Sequence, residues 1–301
     1  MISRLGKNPL ITIAMPVKNC GSTIESAIHS ILRQTYSNWE LLVLDDGSSD
    51  DTVERANGFD DRRVRVLSDG DHLGLPARLN QAIDRANGPL IARMDGDDIS
   101  YPHRLEKQVS LLRSRPDVDV VAAGILAVRS DGSIVGRQKF RGSTHAEITG
   151  TPWSGFHFNH GTWLGYSTWF SNYRYDANAY RAEDNELLLR SYRFSNFYMI
   201  PEILYAYRVD NLSLRKILPA RYSLCKSLIR EGIGGNWALL VGVPIQGIKA
   251  VADIIAITSG LMYRLLRHRA GSVRDTEVRA WKILWTTLLS QVSAARQHIS
   301  G

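Results

Sequence analysis

The chain has 301 residues, 44% hydrophobic and 22% charged, the balance of a soluble globular protein with one large domain or one domain plus an appendage. Its two cysteines, Cys20 and Cys225, lie far apart, which argues against a disulfide scaffold and fits a reducing cytoplasm. A net charge of +7 suits anionic partners, whether phosphates, lipid headgroups or nucleic acid, and does not choose among them. The first nine residues carry no apolar run or small-residue cleavage site, so no signal peptide is expected.

In chain order, Leu10 to Met15 is a short apolar run that reads as a buried strand stopping at Pro16. Ser22-Thr23-Ile24-Glu25 resembles a capping box, and Ile24, Ala27, Ile28 and Ile31 recur behind it at helical spacing. Strands are expected over Trp39 to Leu44 and Arg63 to Leu67. A helix over Pro76 to Ala86, a strand over Leu90 to Met94, a helix over Leu105 to Leu112 and a strand over Val118 to Ala122 follow. This alternation predicts an α/β fold with a parallel sheet and right-handed crossovers. Ile125 to Arg129 and Ile134 to Lys139 flank Asp131-Gly132 as a hairpin would. Thr151 to Asn178 reads as loops and short elements, Ala182 to Tyr192 as a helix and Ile203 to Val209 as a strand. Beyond about residue 212 the chain turns helical and basic.

Two acidic clusters lie just past the carboxyl ends of predicted strands, where open α/β sheets bind ligands. Asp95-Gly96-Asp97-Asp98 puts three carboxylates into four residues, and their repulsion calls for a counter-charge. A hard divalent cation, Mn²⁺ or Mg²⁺, suits such oxygen ligands and bridges to phosphates. The plainer alternative is a solvated acidic turn. In Asp45-Asp46-Gly47-Ser48-Ser49-Asp50 a carboxylate could accept from a base N–H or from ribose, or the cluster could cap the next helix through Ser49 or Asp50. Glu183-Asp184 opens a helix, either as general base for an acceptor hydroxyl or as favourable charge at a helix N-terminus. His160 is either functional or a hydrogen-bonded structural histidine, and Trp153, Trp163 and Trp169 are either displayed for ring stacking or packed in the core.

Trp237 to Tyr263 is the most apolar stretch, interrupted by Pro244, Gln246, Lys249 and Asp253. Lys249 and Asp253 are spaced i, i+4 and could pair on one polar stripe. With Arg264, Arg267, Arg269, Arg274 and Arg279 behind it, the pattern suits a helix lying in a membrane interface better than one spanning it. Helices packed on the catalytic domain with a solvated basic face are the alternative. Trp281, Leu284, Trp285, Leu288 and Val292 mark a last amphipathic helix for packing, membrane or a partner subunit.

Several of these segments form an ordered set: Ile13 to Asn19 with its P-x-x-N turn, Ser30 to Tyr36, Leu44 to Asp50, and Gly74 to Asn80. Ala92 to Leu105, Arg181 to Asp184 and Tyr205 to Arg208 complete it. Over about residues 10 to 210 they resemble the motifs of family 2 glycosyltransferases of the GT-A fold, of the bacterial surface-polysaccharide type. Leu79 stands where that family often has Arg directly before Asn. The resemblance implies a Rossmann-like, mostly parallel sheet flanked by helices, with a C-terminal helical extension. Catalysis would occupy 1–211, divided into a nucleotide-binding half (1–115) and an acceptor and base half (116–211), with 212–301 as the extension. It implies inverting transfer from a nucleoside-diphosphate sugar, most often a UDP-sugar, to a hydroxyl of a saccharide or lipid-linked acceptor. The enzyme would be cytoplasmic, with peripheral contact at the inner face of the cytoplasmic membrane and no nucleic acid partner.

By the same resemblance, Pro16, Val17, Asn19, Ser48, Arg78 and Asn80 would line the nucleotide-sugar pocket and Asp46 would contact the base. Asp95 would lie near ribose and metal, and Asp97 would be the main metal ligand. Asp184, with Glu183 beside it, would be the catalytic base, and His160 and Trp163 would reach acceptor or diphosphate. Two rivals stand. A dinucleotide oxidoreductase lacks its Gly-x-Gly-x-x-Gly after the first strand, where Pro16-Val17-Lys18-Asn19 stands. A non-catalytic nucleotide-sugar or membrane-binding module of the same fold would bind without turnover, and the intact Asp97 and Asp184 argue against it.

Overall fold

The computed structural model describes residues 5–209, 213–261 and 270–299. Tyr263, Arg264, Arg267 and Arg269 lie outside the described residues.

Four strands form the parallel half of the sheet, in the order β3 (Val64–Leu67), β2 (Trp39–Asp45), β1 (Ile11–Val17) and β4 (Leu90–Arg93). Every residue of β1 is buried, as a strand covered on both faces requires. The helices α1 (Ile24–Leu32), α2 (Thr52–Asn57) and α3 (Leu75–Arg85) connect these strands. β1 runs through Pro16 to Val17, past the expected stop. Proline tolerates extended backbone and removes only its own donor, and the Val17 carbonyl still accepts from the Asp46 amide at 2.8 Å. The order reverses between β1 and β4, so a crevice opens at their carboxyl ends.

The sheet continues with mixed pairing. β5 (Ile99–Ser100) and α4 (Arg104–Ser114) precede β6 (Val120–Val128) and β7 (Ile134–Gln138). After α5 (His145–Thr149) come β8 (Leu164–Tyr166), α6 (Ser167–Asn172), α7 (Glu183–Ser191) and β9 (Phe197–Arg208). β8 inserts antiparallel between β4 and β6, and β9 runs parallel to β6. Two expected strands, Val118 to Ala122 and Ile125 to Arg129, are one strand kinked at Gly124. A side chain there would meet the Glu202 carbonyl at 2.8 Å. β9 starts six residues before the expected Ile203, because Pro201 sits at the pairing irregularity opposite that kink.

The expected capping box of α1 does not form. Thr23 Oγ1 instead donates to the Gly96 carbonyl at 3.1 Å, and Glu25 pairs with Arg55 at 2.8 Å. Tertiary partners outcompete the local cap, and the exchange ties α1 to the acidic loop after β4.

The C-terminal residues form α8 (Leu214–Ile233), α9 (Gly242–Thr258), the short β10 (Ala270–Gly271) and α10 (Asp275–Ile299). α10 serves packing: Trp281, Leu284 and Leu288 are buried against Ile99, Leu126, Val128 and Ile203. The Trp281 indole N–H donates to the Gly132 carbonyl at 2.7 Å. α9 is polar inside and apolar outside. Gln246 and Asp253 are buried, with Asp253 accepting from Arg221 of α8 at 2.8 Å, while Lys249 donates to Ser154 at 3.0 Å. Ile248, Val251 and Ile255 are 71%, 57% and 58% exposed. Among the described residues, Trp237–Thr258 is the one stretch of helix long and apolar enough to cross a membrane by length and composition.

Trp281→Ala should destabilise the fold by about 3–5 kcal/mol, the usual cost of emptying a tryptophan site, read by denaturant unfolding. A change within 0.5 kcal/mol, the range of ordinary surface substitutions, would show that α10 is not part of the core.

Candidate active site

The crevice begins at the loop after β1. Asn19 holds a left-handed backbone (φ 53°) and bridges two loops: its amide donates to Ser48 Oγ at 3.0 Å and its Oδ1 accepts from the Ser49 amide at 2.9 Å. Asp45 accepts from the Ser48 amide at 3.1 Å and from Ser68 at 2.9 Å. Asp46 is buried. Its Oδ1 accepts from the amides of Leu73 and Gly74 at 2.8 and 2.9 Å, and its Oδ2 lies 2.7 Å from His72 Nδ1. Burial pushes the Asp46 carboxyl up, but the two amides and His72 outweigh it and hold the group below the ordinary carboxylate range.

The acidic loop after β4 depends on one glycine and one arginine. A side chain at Gly96 would lie 2.5 Å from Val17 Cγ1, so only glycine lets the loop settle on the end of β1. Arg93, itself 3% exposed, ion-pairs with Asp95. Burial opposes the guanidinium charge, and Asp95 overrides it, leaving Arg93 held more firmly protonated than usual. Below it Arg104, fully buried, donates to the Arg93 carbonyl at 2.7 Å and lies over the Tyr205 ring at 5.2 Å. The Tyr205 hydroxyl accepts from the Asp95 amide at 3.1 Å. Asp97 faces the open cleft. Desolvation and then the like charge of Asp95 push its carboxyl up to about 6. Its side chain still meets water, so the like charge is the cause that a cation would relieve.

The opposite wall is the start of α7. Arg181 there holds a left-handed backbone (φ 59°), an uncommon conformation for a side chain of that size. It turns Glu183 and Asp184 into the helix's first turn. Both carboxyls are raised: burial and then Asp184 bring Glu183 up to about 7, and burial raises Asp184. The helix N-terminus favours negative charge, but that contribution is small beside burial of two adjacent carboxylates. Asn185 orients Asp184 by donating to its Oδ1 at 3.1 Å, and its own Oδ1 accepts from the Phe156 amide at 3.1 Å.

The two walls meet. Asp95, Asp97, Glu183, Asp184 and His160 all line one cavity of about 450 Å³. His160 Nε2 lies 2.9 Å from the Tyr175 hydroxyl and its ring packs edge-on to Trp163. Burial and then Arg93 push the imidazole well below its usual pKa, so its 3.9 Å approach to Glu183 joins a neutral ring to the carboxyl.

Several expected site residues stand elsewhere. Pro16 and Val17 are buried in β1, and Lys18, Asn19 and Cys20 line the cleft instead. Trp163 is fully buried and donates to the Phe158 carbonyl at 3.2 Å, so no sugar can stack on it; Trp169 is likewise packed inside. Asp98 is fully buried with Oδ1 accepting from the Arg208 amide at 2.8 Å. Burial and the charges of Asp95 and Asp97 raise its carboxyl well above the ordinary range. The acidic loop therefore offers two carboxylates, not three. Arg78 is buried against Asp69 and Asp46 at 2.6 and 3.3 Å, a brace for the loop before α3. Asn80 clamps the Tyr175 backbone at 2.9 and 3.0 Å, which supports His160 from behind. Cys20 and Cys225 are free thiols; burial and then Asp97 push Cys20 up to about 12.

Sequence patterns missed Arg93, Asn185 and Arg181. An arginine on a four-residue buried strand beside three aspartates was the available signal for the first. Among the described residues no three His, Cys, Asp or Glu side chains gather as a complete metal-binding group. A cation held by Asp95 and Asp97 would complete its shell with substrate oxygens, as Mg²⁺-type sites ordinarily do.

A crevice at the switch point of a Rossmann-like sheet, acidic on both walls, is the mark of the GT-A class of sugar transferases. The chain belongs to glycosyl transferase family 2, whose profile matches residues 12–173. EpsE from Bacillus subtilis (strain 168) is 33% identical over 222 residues, 70% of this chain and 77% of its own length. WfgD from Escherichia coli is a UDP-Glc:alpha-D-GlcNAc-diphosphoundecaprenol beta-1,3-glucosyltransferase. It is 43% identical over 103 residues, which is 34% of this chain and 41% of its own. The mannosyltransferase PcManGT from Pyrobaculum calidifontis, solved with GDP-Man and Mn²⁺, shares the fold. Its TM-score is 0.58 at 14% identity, over 91% of this chain and 86% of its own.

A base must be deprotonated to act, and the carboxyls on the α7 wall are raised. With Glu183 raised to about 7 and Asp184 raised beside it, sugar transfer should fall with falling pH before ordinary carboxylates titrate. A pH–rate profile flat from 8 down to about 5 would contradict that environment.

Proposed function

We propose that the chain is a metal-dependent, inverting glycosyltransferase. It moves a sugar from a nucleoside-diphosphate sugar, UDP-linked by preference, to a hydroxyl of a lipid-linked saccharide in cell-surface polysaccharide synthesis. One observation carries this reading: Asp97 and Asp184 open into the same cavity from opposite walls. Asp97 and Asp95 would hold Mn²⁺ or Mg²⁺, with Arg93 ion-paired to Asp95 behind them. When bound, the cation neutralises charge on the departing diphosphate. Asp184, fixed by Asn185, takes the proton from the acceptor hydroxyl. A single base facing a single departing group needs no covalent sugar–enzyme stage, and one displacement inverts the anomeric centre. The nucleotide lies along the loops joined by Asn19 and Ser48. Asp46 meets the base there, its carboxylate held by His72 and by the Leu73 and Gly74 amides.

The acceptor assignment draws on WfgD, whose acceptor is a diphosphoundecaprenol-linked sugar, and on the outward face of α9. Ile248, Val251 and Ile255 face solvent while the charges of that helix point inward, the reverse of a water-soluble helix. We place this face in the interface of the cytoplasmic membrane, where burial of its apolar area favours it.

Asp184→Asn should lower turnover by about 10²–10⁴-fold, the usual share of a general base, while Mn²⁺-dependent binding of the sugar nucleotide persists in calorimetry. Asp97→Asn or EDTA should abolish that binding. Unchanged turnover in the first variant would remove Asp184 as base. A wild-type chain that binds the sugar nucleotide yet transfers to no acceptor would favour the non-catalytic module.

Replacing Ile248, Val251 and Ile255 by Glu should prevent flotation with phosphatidylglycerol vesicles. Equal flotation of variant and wild type would dismiss the interfacial face.

A further inference from the structure

Trp163 and Trp169 are packed inside, yet one aromatic ring is displayed in the cleft. Tyr207, near the end of β9, is 45% exposed, and among the described residues it has no hydrogen-bond or ring partner. Strand alternation explains its pose. Tyr205, two residues earlier, lies on the same face of β9, but it is buried and its hydroxyl is taken by the Asp95 amide at 3.1 Å. Tyr207 stands one pleat further out, past the contact that supports the acidic loop. The other rings of the catalytic cavity are engaged: Phe156 lies against Tyr192 with centroids 5.8 Å apart, and Phe158 against Trp163 at 5.5 Å.

The position of Tyr207 is specific as well. A cavity of about 700 Å³, with Lys18, Asn19 and Arg181 in its wall, adjoins the cavity of about 450 Å³ that holds Glu183, Asp184 and His160. Among the described residues, the two linings have only Asp97 and Tyr207 in common. On the transferase reading, the nucleotide lies along Asn19 and the base stands on the Asp184 side. The sugar being moved bridges the two, so it passes between the carboxylate that takes the cation and the phenol ring. A pyranose presents a face of C–H groups, which carboxylates cannot satisfy. The face of an aromatic ring is apolar and electron-rich, and attracts such groups. A tyrosine ring has few rotamers to lose, so a sugar covers it at little entropic cost.

We propose that Tyr207 is the platform on which the donor's pyranose ring stacks, holding the anomeric carbon between Asp97 and Asp184. The inference rests on the transferase reading and deepens it, by naming the residue that recognises the sugar rather than the nucleotide.

Calorimetry of the full chain with Mn²⁺ separates the two parts of the donor. The probes are UDP-glucose, UDP-N-acetylglucosamine and GDP-mannose, each compared with its free nucleoside diphosphate. Tyr207→Ala should weaken the tightest-binding sugar nucleotide about tenfold, the upper end for one aromatic contact, and leave the affinity for free UDP or GDP unchanged. Unchanged diphosphate binding also shows that the variant is folded. Tyr207→Phe, which keeps the ring, should stay within about twofold of wild type. Equal losses for sugar nucleotide and free diphosphate, or no loss for either, overturn the platform. A Phe variant as weak as the Ala variant overturns it too, because the hydroxyl and not the ring would then make the contact. A wild-type chain that binds none of the three sugar nucleotides overturns the transferase reading itself, a result distinct from binding that Tyr207→Ala leaves untouched.

Discussion

A buried arginine among carboxylates holds this site together. Asp95, Asp97, Glu183 and Asp184 share one small cavity, and four like charges so placed would force one another to take up protons. Arg93 is the counter-charge that opposes it. It lies at the end of a central strand, pairs directly with Asp95, and lowers the proton affinity of Asp97, Glu183 and Asp184. Burying a guanidinium costs several kcal/mol, and that cost is offset only because so many acids surround it. The carboxyls of Asp97, Glu183 and Asp184 nevertheless remain raised, first by burial and then, for Asp97 and Glu183, by a neighbouring carboxylate.

Much of the fold was legible because its signals are local. Buried parallel strands such as β1, β2 and β4 are short apolar runs ended by acidic or glycine-rich turns, and each appears in the structure within a few residues of expectation. Errors came where tertiary partners overrule local pattern. The expected capping box from Ser22 to Glu25 does not form, Thr23 donating to the Gly96 carbonyl and Glu25 pairing with Arg55, and β6 and β9 run through residues that look like breaks because each bends to fit the other.

The site was legible as a set of motifs but not as a set of contacts. Asp95, Asp97 and Asp184 line one cavity, as the family resemblance implied, since strand ends and helix starts fix their positions. Nothing in the spacing reveals that Asp98 turns inward, that Trp163 is packed rather than displayed, or that Arg78 and Asn80 act as braces one layer back. Those outcomes depend on which way a side chain points after the chain has folded. The inside-out polarity of α9 was hidden for the same reason: Asp253 and Gln246 meet Arg221 only once α8 lies alongside.

The contact between Gly96 and Val17 has a mechanical consequence. With no side chain between them, the acidic loop rests directly on the end of a fully buried strand, and Thr23 fastens the same loop to α1. That wall is thereby welded to the sheet and cannot shift without dragging the core along. The opposite bank is anchored too, since Leu187 and Leu188 of α7 are buried in the same core, so the distance between the two acidic walls is set by the packing of the fold.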